Sequence, residues 1–276
     1  VKNGIKNYYD IETASFKPVP GYESFIILNH LRENKTVWSN EGTSIIDIGD
    51  GVLDLEFQTK MNTMGSEVIQ GLNKAIEIAE KDFRGLVIGN DGPNFSAGAN
   101  LALLLMYAAE QEFDEIDLMV RTFQNALMRA KYASVPIVGA PHGLTLGGGC
   151  ELILHLDAVQ AAAETYIGLV EFGVGLVPAG GGTKEMTLRA SDRYEEGDIE
   201  LNKILNSFMN IGMAKVSSSA YEAFDLGILK KSDRISINQS RLLADAKARV
   251  IELSVAGYAK PFPRSDIRVL GKDALS

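Results

Sequence analysis

The sequence contains few of the residues that mark disulfide-rich or membrane proteins. Among its 276 residues there is a single cysteine, Cys150, and there are three histidines. One cysteine excludes an intramolecular disulfide and fits a reducing cytoplasm, where we place the protein. No run of about 18 apolar residues and no signal-peptide pattern occurs, so we expect no transmembrane helix. We also expect no metal site.

Positive charge is scarce as well. Lysine and arginine together number 27 against 36 acidic residues, which gives a net charge of −9. This balance argues against nucleic acid as the main partner, although a local field leaves a small anionic ligand possible. With 46% hydrophobic residues, the chain has enough apolar side chains for a sizeable core.

Residues 1–42 are polar and aromatic, show little periodicity and are interrupted by the segment Lys17–Gly21. We interpret them as a linker or the tail of a preceding domain. The chain does not begin with methionine, which indicates a piece of a longer protein. No linker divides the rest, so we predict one domain over 43–262 and a C-terminal extension over 263–276.

Hydrophobic periodicity over that domain predicts alternating strands and helices. Strands are predicted at 45–49, 52–57, 85–89 and 135–139, and helices at 68–79, 113–130, 201–209, 218–226 and 242–258. Gly49–Gly51 is predicted to close a hairpin between the first two strands. The alternation indicates an α/β fold with parallel pairing, followed by a helical C-terminal third.

Three glycine-containing loops follow strand-like segments, at 95–100, 147–149 and 177–183. None has the residue order of a nucleotide-triphosphate loop or of a dinucleotide-binding fingerprint, so neither site is expected in this chain. Bare backbone amides in two such loops can together bind one oxyanion. The small residues at 97–99 and 147–149 would let a thioester carbonyl reach the backbone.

Two acids near these loops are candidates for proton transfer. Glu151 follows the second loop, and Glu171 stands alone in an apolar, glycine-rich stretch. Partial burial would raise the pKa of such a carboxyl toward neutrality. Two alternatives stay open: Glu151 could be an ordinary acid at a helix N-terminus, and Glu171 a surface acid on a strand edge. Spacing alone does not name a reaction.

An ordered set of motifs resembles the crotonase (enoyl-CoA hydratase/isomerase) superfamily over about residues 44–260. The matching segments are Lys60–Met64, Arg84–Ile88, Phe95–Leu101, Pro136–Ala140, Gly147–Leu152, Asp157, Glu171 and Val177–Pro178 with the triple glycine that follows. The resemblance implies a spiral of ββα units with a helical C-terminal region used in trimer contacts. It departs at Asn100, where many relatives carry Asp.

The resemblance also implies roles for particular residues. An acyl-CoA thioester oxygen would be held by the amides of Ala99 and Gly148, with Ala97 and Gly98 beside the substrate. Glu151 and Glu171 match the two glutamates that hold one water in the hydratase branch. Lys60 is a candidate for the CoA phosphates.

The activity that follows is reversible syn addition of water to 2-trans-enoyl-CoA in fatty-acid β-oxidation. Isomerisation of Δ3-enoyl-CoA to the Δ2 isomer and non-catalytic acyl-CoA binding are the alternatives. A Ser-His-Asp site at His30, His142 or His155 lacks a nucleophile motif.

Residues 1–42 do not match a stand-alone hydratase. They resemble the fusions in which a 3-hydroxyacyl-CoA dehydrogenase shares the chain, so NAD is expected for a full-length protein but not for this segment. The expected assembly is a homotrimer, a dimer of trimers, or contact with an intramolecular dehydrogenase domain.

Overall fold

The computed structural model describes residues 7–21, 25–195, 197 and 200–271. The strands are β1 Asn7–Asp10, β2 Ser15–Pro18, β3 Thr36–Ser39, β4 Thr43–Asp47, β5 Val52–Phe57, β6 Gly85–Ile88, β7 Ile137–Gly139, β8 Gly143–Leu146, β9 Ala158–Ala162, β10 Thr165–Gly168 and β11 Arg234–Ser236. The helices are α1 Leu28–Lys35, α2 Ser66–Asp82, α3 Leu101–Ala109, α4 Phe113–Lys131, α5 Gly148–His155, α6 Gly182–Asp192, α7 Glu200–Gly212, α8 Ala220–Asp225 and α9 Leu242–Val255. Short 3-10 turns lie at Lys60–Asn62, Glu171–Val174 and Gln239–Arg241.

A central sheet carries the fold, with the strand order β11-β9-β7-β6-β5-β4-β3. The pairs from β5 to β11 are parallel, whereas β3, β4 and β5 pair antiparallel. The parallel pairs follow from helical crossovers, since a parallel neighbour needs a long connection. β4 and β5 instead form the predicted hairpin around Gly49–Gly51, whose three residues all have positive φ.

The two faces of the sheet bury separate apolar clusters, as alternation along β5 requires. Leu53 and Leu55 belong to the cluster that includes apolar residues of α2 and α4, and Val52 to the cluster that includes residues of α1 and α9. The predicted stripe of α2 is buried: Val68, Ile69, Leu72, Ala75, Ile76 and Ala79. The predicted α/β class with a helical C-terminal region is confirmed. α9 ends at Val255, three residues before the predicted Tyr258.

The N-terminal segment differs in part from the predicted linker. Leu28 of α1 has no exposed surface, and β3 pairs with β4 at the edge of the central sheet. Arg32 of α1 binds the buried carboxylate of Glu56 on β5, with Nε 2.8 Å from Oε2. Residues 28–42 are therefore packed on the domain, and its boundary lies before residue 43. This packing was not predicted from the sequence, because α1 and β3 are mostly polar and have few apolar residues that contact the sheet.

The remainder of the two terminal segments is less tied to the core. β1 and β2 form a separate hairpin that pairs with no other strand of the described residues. After α9 the chain returns along α6, where Arg264 Nη1 lies 2.5 Å from Asp192 Oδ1 and the Arg268 amide donates to Ser191 Oγ. Residues 1–6, 22–24 and 272–276 lie outside the described residues. That 1–42 includes the tail of another domain stays a prediction.

Candidate active site

The site forms where two parallel strands end side by side. β8 and β10 pair in parallel with Leu146 opposite Gly168. Because parallel strands end at the same edge, the segments that follow them meet there. After β8 the chain turns at Gly147 into α5, and after β10 it enters the 3-10 turn that starts at Glu171. The Gly147 amide donates to the Gly168 carbonyl at 3.0 Å, which joins the two exits.

The turn at Gly147 requires glycine. Its φ is 51° and its ψ is −120°, a conformation that side chains strongly disfavour. A Cβ at this position would also lie 3.2 Å from Glu171 Oε1. The missing side chain therefore allows the start of α5 and the carboxylate of Glu171 to approach closely.

The first glycine loop lies beside this edge. Ser96 bridges to Thr145 of β8, and its Oγ accepts a hydrogen bond from the Gly98 amide at 3.1 Å. The Gly98 carbonyl accepts from the Met64 amide at 2.8 Å. A Cβ on Gly98 would lie 3.4 Å from the amide nitrogen of Gly148. The structure thus brings the loops at 95–100 and 147–149 into contact, as the two-loop prediction requires.

The amides of Ala99 and Gly148 have unused capacity to donate a hydrogen bond. Within the residues that the structure describes, neither donates a hydrogen bond to another residue. Gly148 is the first residue of α5, where helical amides have no intrahelical acceptor and the helix dipole favours negative charge. Ala97, by contrast, donates to the Met61 carbonyl at 3.1 Å, so its amide holds the loop in place.

Glu151 is buried inside the first turn of α5, with 3% of its surface exposed. Its Oε1 accepts a hydrogen bond from the Gly182 amide at 2.9 Å. Burial, and then the negative charge of Glu171, raise the pKa of this carboxyl to about 7, against the opposing effect of the glycine amides. Glu151 is therefore not an ordinary exposed acid at a helix N-terminus.

Glu171 is half-buried and begins a 3-10 turn, not a strand edge. Burial raises the pKa of its carboxyl, and Oε2 is shielded from solvent without a hydrogen-bond partner in the described chain. Such an oxygen has unused capacity to accept a hydrogen bond. The structure therefore places two carboxyls together, and burial raises the pKa of each.

The third glycine loop is a part of the site that sequence reasoning did not assign. Its Gly182 amide binds Glu151, and a Cβ on Gly180 would overlap both Glu151 Oε2 and the ring of Phe123. Phe123 also lies against Gly148, where a Cβ would be 3.3 Å from its Cζ. The triple glycine was the sequence signal that could have indicated that other groups approach this backbone closely. Phe123 lies within the predicted helix 113–130 and was given no role there, because helical periodicity does not distinguish a core residue from a residue that lines a site.

Lys60 lies in a turn whose next residue, Met61, binds the first glycine loop. It is exposed in the turn Lys60–Asn62, and no ion pair or side-chain hydrogen bond of Lys60 occurs among the described residues. Met61 and Asn62, which follow it, have positive φ values of 55° and 51°. Strained backbone of this kind persists where the surroundings fix it, here through the bond from Ala97 to the Met61 carbonyl. A role of Lys60 toward CoA phosphates stays a prediction.

Other predicted residues have structural contacts. Asn100 caps α3, its Oδ1 accepting from the Ala102 amide at 3.2 Å, so asparagine serves as the cap at this departure from the family pattern. His142 is buried with Nε2 2.8 Å from the Gly92 carbonyl, so it makes a structural contact within the loops. Cys150 is buried.

The described part of the chain contains no group of three or more His, Cys, Asp or Glu side chains able to hold a metal ion. None of its helices is long and apolar enough to span a membrane.

The model of the "Enoyl-CoA hydratase/isomerase" family matches residues 47–193, which contain both glutamates and all three glycine loops. The chain belongs to this family. Family membership confirms the predicted resemblance, and it covers hydratases and isomerases alike.

Solved structures agree with the crotonase fold. The enoyl-CoA hydratase of Polaromonas sp. JS666 superposes with a TM-score of 0.63 at 22% identity, covering 77% of each chain. The enoyl-CoA hydratase of Thermoplasma volcanium GSS1 gives a TM-score of 0.62 at 21% identity, covering 80% of this chain and 79% of that one. At these identities the likeness establishes the fold.

Two curated relatives are much longer than this chain. A probable 3-hydroxyacyl-CoA dehydrogenase of Bacillus subtilis (strain 168) is 43% identical over 98% of this chain and 34% of its own length. A putative fatty acid oxidation complex trifunctional enzyme of Rickettsia felis is 33% identical over 84% of this chain and 31% of its own length. The family member described here therefore spans about a third of these relatives.

Proposed function

We propose that this chain is an enoyl-CoA hydratase, which adds water reversibly and with syn geometry to 2-trans-enoyl-CoA. The observation that carries the proposal is the pairing of Glu151 and Glu171. Glu151 is buried and Glu171 half-buried, both carboxyls have a raised pKa, and Glu171 Oε1 lies against Gly147, the residue before the Gly148 amide.

The thioester oxygen is proposed to bind the amides of Ala99 and Gly148. Negative charge develops on this oxygen as the enolate-like state forms, and two aimed amides stabilise that charge. Each donor of this kind contributes roughly 3–4 kcal/mol in other enzymes. Gly98 lets the thioester approach the backbone, while Ala97 holds the loop through its bond to Met61.

The two carboxyls are proposed to exchange the protons of one water. As the water oxygen bonds to C3, one carboxylate removes a proton from it, and the other carboxyl delivers a proton to C2. A pKa of about 7 for Glu151 suits both directions, because the acid and its conjugate base are then both populated. The carboxyls interact electrostatically, so their protons belong to the pair.

The paired acids favour hydration over the alternatives. Moving a double bond from Δ3 to Δ2 shifts a proton between carbons and needs no second acid to activate water. A protein that only binds acyl-CoA would gain nothing from burying two carboxyls, since burial of unpaired carboxyls costs free energy.

The longer relatives support a wider proposal for the full-length protein. We infer a role in fatty-acid β-oxidation, with NAD used by a 3-hydroxyacyl-CoA dehydrogenase segment elsewhere in the chain. Self-association into a trimer or a dimer of trimers is proposed for the α7 surface. Large apolar side chains are exposed there: Leu201, Leu205, Phe208 and Met209. A dehydrogenase segment of the same full-length protein is the alternative partner for this surface.

The experiment that tests the activity uses crotonyl-CoA. Hydration should remove the absorbance of the conjugated thioester in the presence of purified protein. Glu151→Gln and Glu171→Gln should each lower kcat by about 10²–10⁴-fold, because each removes one proton-transfer group. Glu41→Gln is the control, since Glu41 is an exposed acid far in sequence from Glu151 and Glu171. Full activity of either site variant would exclude the two-acid mechanism. A Δ3-enoyl-CoA assay on the same samples separates isomerase from hydratase.

A further inference from the structure

His155 is a buried histidine that the proposed reaction does not use. It is the last residue of α5, one turn after Glu151, and 2% of its surface is exposed. Its Nδ1 lies 2.7 Å from the Glu151 carbonyl oxygen, and its Nε2 lies 3.0 Å from Lys184 Nζ. A carbonyl only accepts and an ammonium only donates, so the ring is the neutral tautomer with its proton on Nδ1.

The surroundings agree with a neutral ring. Burial lowers the pKa of His155 to about 4, against the opposing effect of the Glu185 carboxylate. The charged groups that face the ring are Lys184 and Glu185 from α6 and Lys131 from α4. Glu185 accepts from Lys131 at 2.5 Å and from Lys184 at 2.8 Å. Lys184 is thus held against the ring by a buried counter-charge.

The third glycine loop rests on this ring. Gly181 has a φ of +115°, and a Cβ there would lie 2.9 Å from His155 Cε1 and Nε2. A triple glycine has no side chains to fix its own conformation, and glycine loses the most backbone entropy on ordering. Contact with a rigid ring, together with the anchoring of Lys184 two residues after Gly182, supplies that restraint.

We propose that His155 and Lys184 are positioning residues that hold the Gly182 amide against the Glu151 carboxylate. His155 connects α5, through the Glu151 carbonyl, to the first turn of α6, through Lys184. The same two helices supply the carboxylate and the amide that binds it. Only the expected change in kcat rests on the proposed function, because the contacts of His155 and Lys184 concern the Glu151 carboxylate whatever reaction it serves.

The expected kinetic effect falls on kcat. Neither residue contacts the Ala99 and Gly148 amides in the described structure, so binding of the thioester should not change. Misplacement of a reacting group by about 1 Å can cost up to about 100-fold in rate. We therefore expect His155→Leu to lower kcat for crotonyl-CoA by about 10- to 100-fold with KM unchanged. Lys184→Met should act in the same direction.

Two conservative variants separate positioning from packing. In His155→Asn the side-chain amide can donate to the Glu151 carbonyl but does not reach Lys184. In His155→Gln the amide oxygen can accept from Lys184 instead. Each should recover part of the loss in His155→Leu. Lys247→Met is the control for removing a lysine that makes an ion pair, since Lys247 binds the Ile48 carbonyl and Asp50 outside the site.

A spectroscopic readout distinguishes failure of this proposal from failure of the proposed function. The carboxyl ¹³C resonance of Glu151, assigned with Glu151→Gln, can be titrated without any turnover. In His155→Leu, loss of the hydrogen bond from Gly182 should raise the pKa of Glu151, because Glu171 still faces Glu151 in this variant.

An unchanged Glu151 titration in folded His155→Leu would overturn the positioning role, as would wild-type kcat. Equal kcat in the Leu, Asn and Gln variants would also overturn it. If the wild-type protein hydrates no enoyl-CoA but the titration shifts as expected, the proposed function fails and the positioning role stands.

Discussion

Glu151 and Glu171 are the same residue type in different surroundings. Glu151 has a fixed partner, the Gly182 amide, whereas Glu171 Oε2 has none among the described residues. Burial is the largest cause of the raised pKa in both. At the scale of single residues, folding thus removes both carboxyls from water in part, and it leaves one oxygen of Glu171 without a hydrogen-bond partner in the described chain.

Burial of Glu151 should reduce the stability of the folded protein at high pH. The pKa of Glu151 is about 7 in the folded protein against 4.5 for the free side chain. The folded state therefore binds the proton of Glu151 more tightly than the unfolded state does. The stabilisation from this protonation is complete below about pH 4.5 and is lost as pH rises through about 7. The difference corresponds to at most about 3 kcal/mol. We expect Glu151→Gln, which carries no charge, to gain stability relative to wild type between about pH 5 and about pH 8.

Urea unfolding at several pH values checks this expectation. Glu41→Gln, at an exposed acid, should follow the wild-type pH dependence. A constant difference between Glu151→Gln and wild type at all pH values would show that Glu151 is not withdrawn from water as the structure indicates.

At the scale of elements, the site depends on how α5, α6 and α4 meet. The N-terminus of α5 presents Gly148 and Glu151, the N-terminus of α6 supplies Gly182, and Phe123 of α4 closes the space between them. Glycines at both helix starts let these elements approach more closely than side chains would permit.

Gly180→Ala should therefore disturb the site from outside the proton-transfer groups. The added methyl would overlap Glu151 Oε2 and the Phe123 ring. We expect a loss of about 1–3 kcal/mol in the free energy of unfolding from overpacking, and a fall in kcat of about 10- to 100-fold from the displaced carboxylate. Chemical denaturation and the crotonyl-CoA assay measure the two effects.

Gly212→Ala is a matched control at the end of α7. A Cβ there meets nothing within 4 Å, so alanine should be neutral or stabilise the helix by up to about 1 kcal/mol. Wild-type kcat and stability in Gly180→Ala would show that the carboxylate does not occupy the position seen here.

At the scale of the whole molecule, the central sheet extends into the segment expected to be a linker. α1 covers the same face of the sheet as α9, and β3 forms its edge. The buried carboxylate of Glu56 depends on Arg32 from this segment. Removing one partner of a buried pair is costly because the other charge loses its compensation.

Leu28→Ala tests whether this segment belongs to the folded unit. Leu28 is fully buried, and its truncation should cost about 2–5 kcal/mol. Ile11→Ala, at a side chain 87% exposed in the separate hairpin, should change stability by less than about 0.5 kcal/mol. Thermal and urea unfolding of both variants give the comparison. Equal stability of the two would mean that α1 is only loosely attached, as a linker would be.

Local patterns in the sequence determined much of the fold. The stripe of α2, the hairpin at Gly49–Gly51 and the alternation of strands and helices from β4 to β7 were readable, because periodicities of 3.6 and 2 residues and left-handed turns are local properties. The short strands β8, β9 and β10 were not predicted. The ordered motifs also determined the family. The polar segment containing α1 and β3 carried too little apolar periodicity to reveal that it packs on the sheet.

Only the tertiary structure decided the surroundings of the site. The sequence named Glu151 and Glu171, but the raised pKa of each depends on burial, and that of Glu151 also on the nearby charge of Glu171. The parallel ends of β8 and β10 bring the two residues together. Phe123, Gly182 and His155 joined the site for the same reason. Each lies on a different element, and contacts between distant segments leave no periodic signal along a chain.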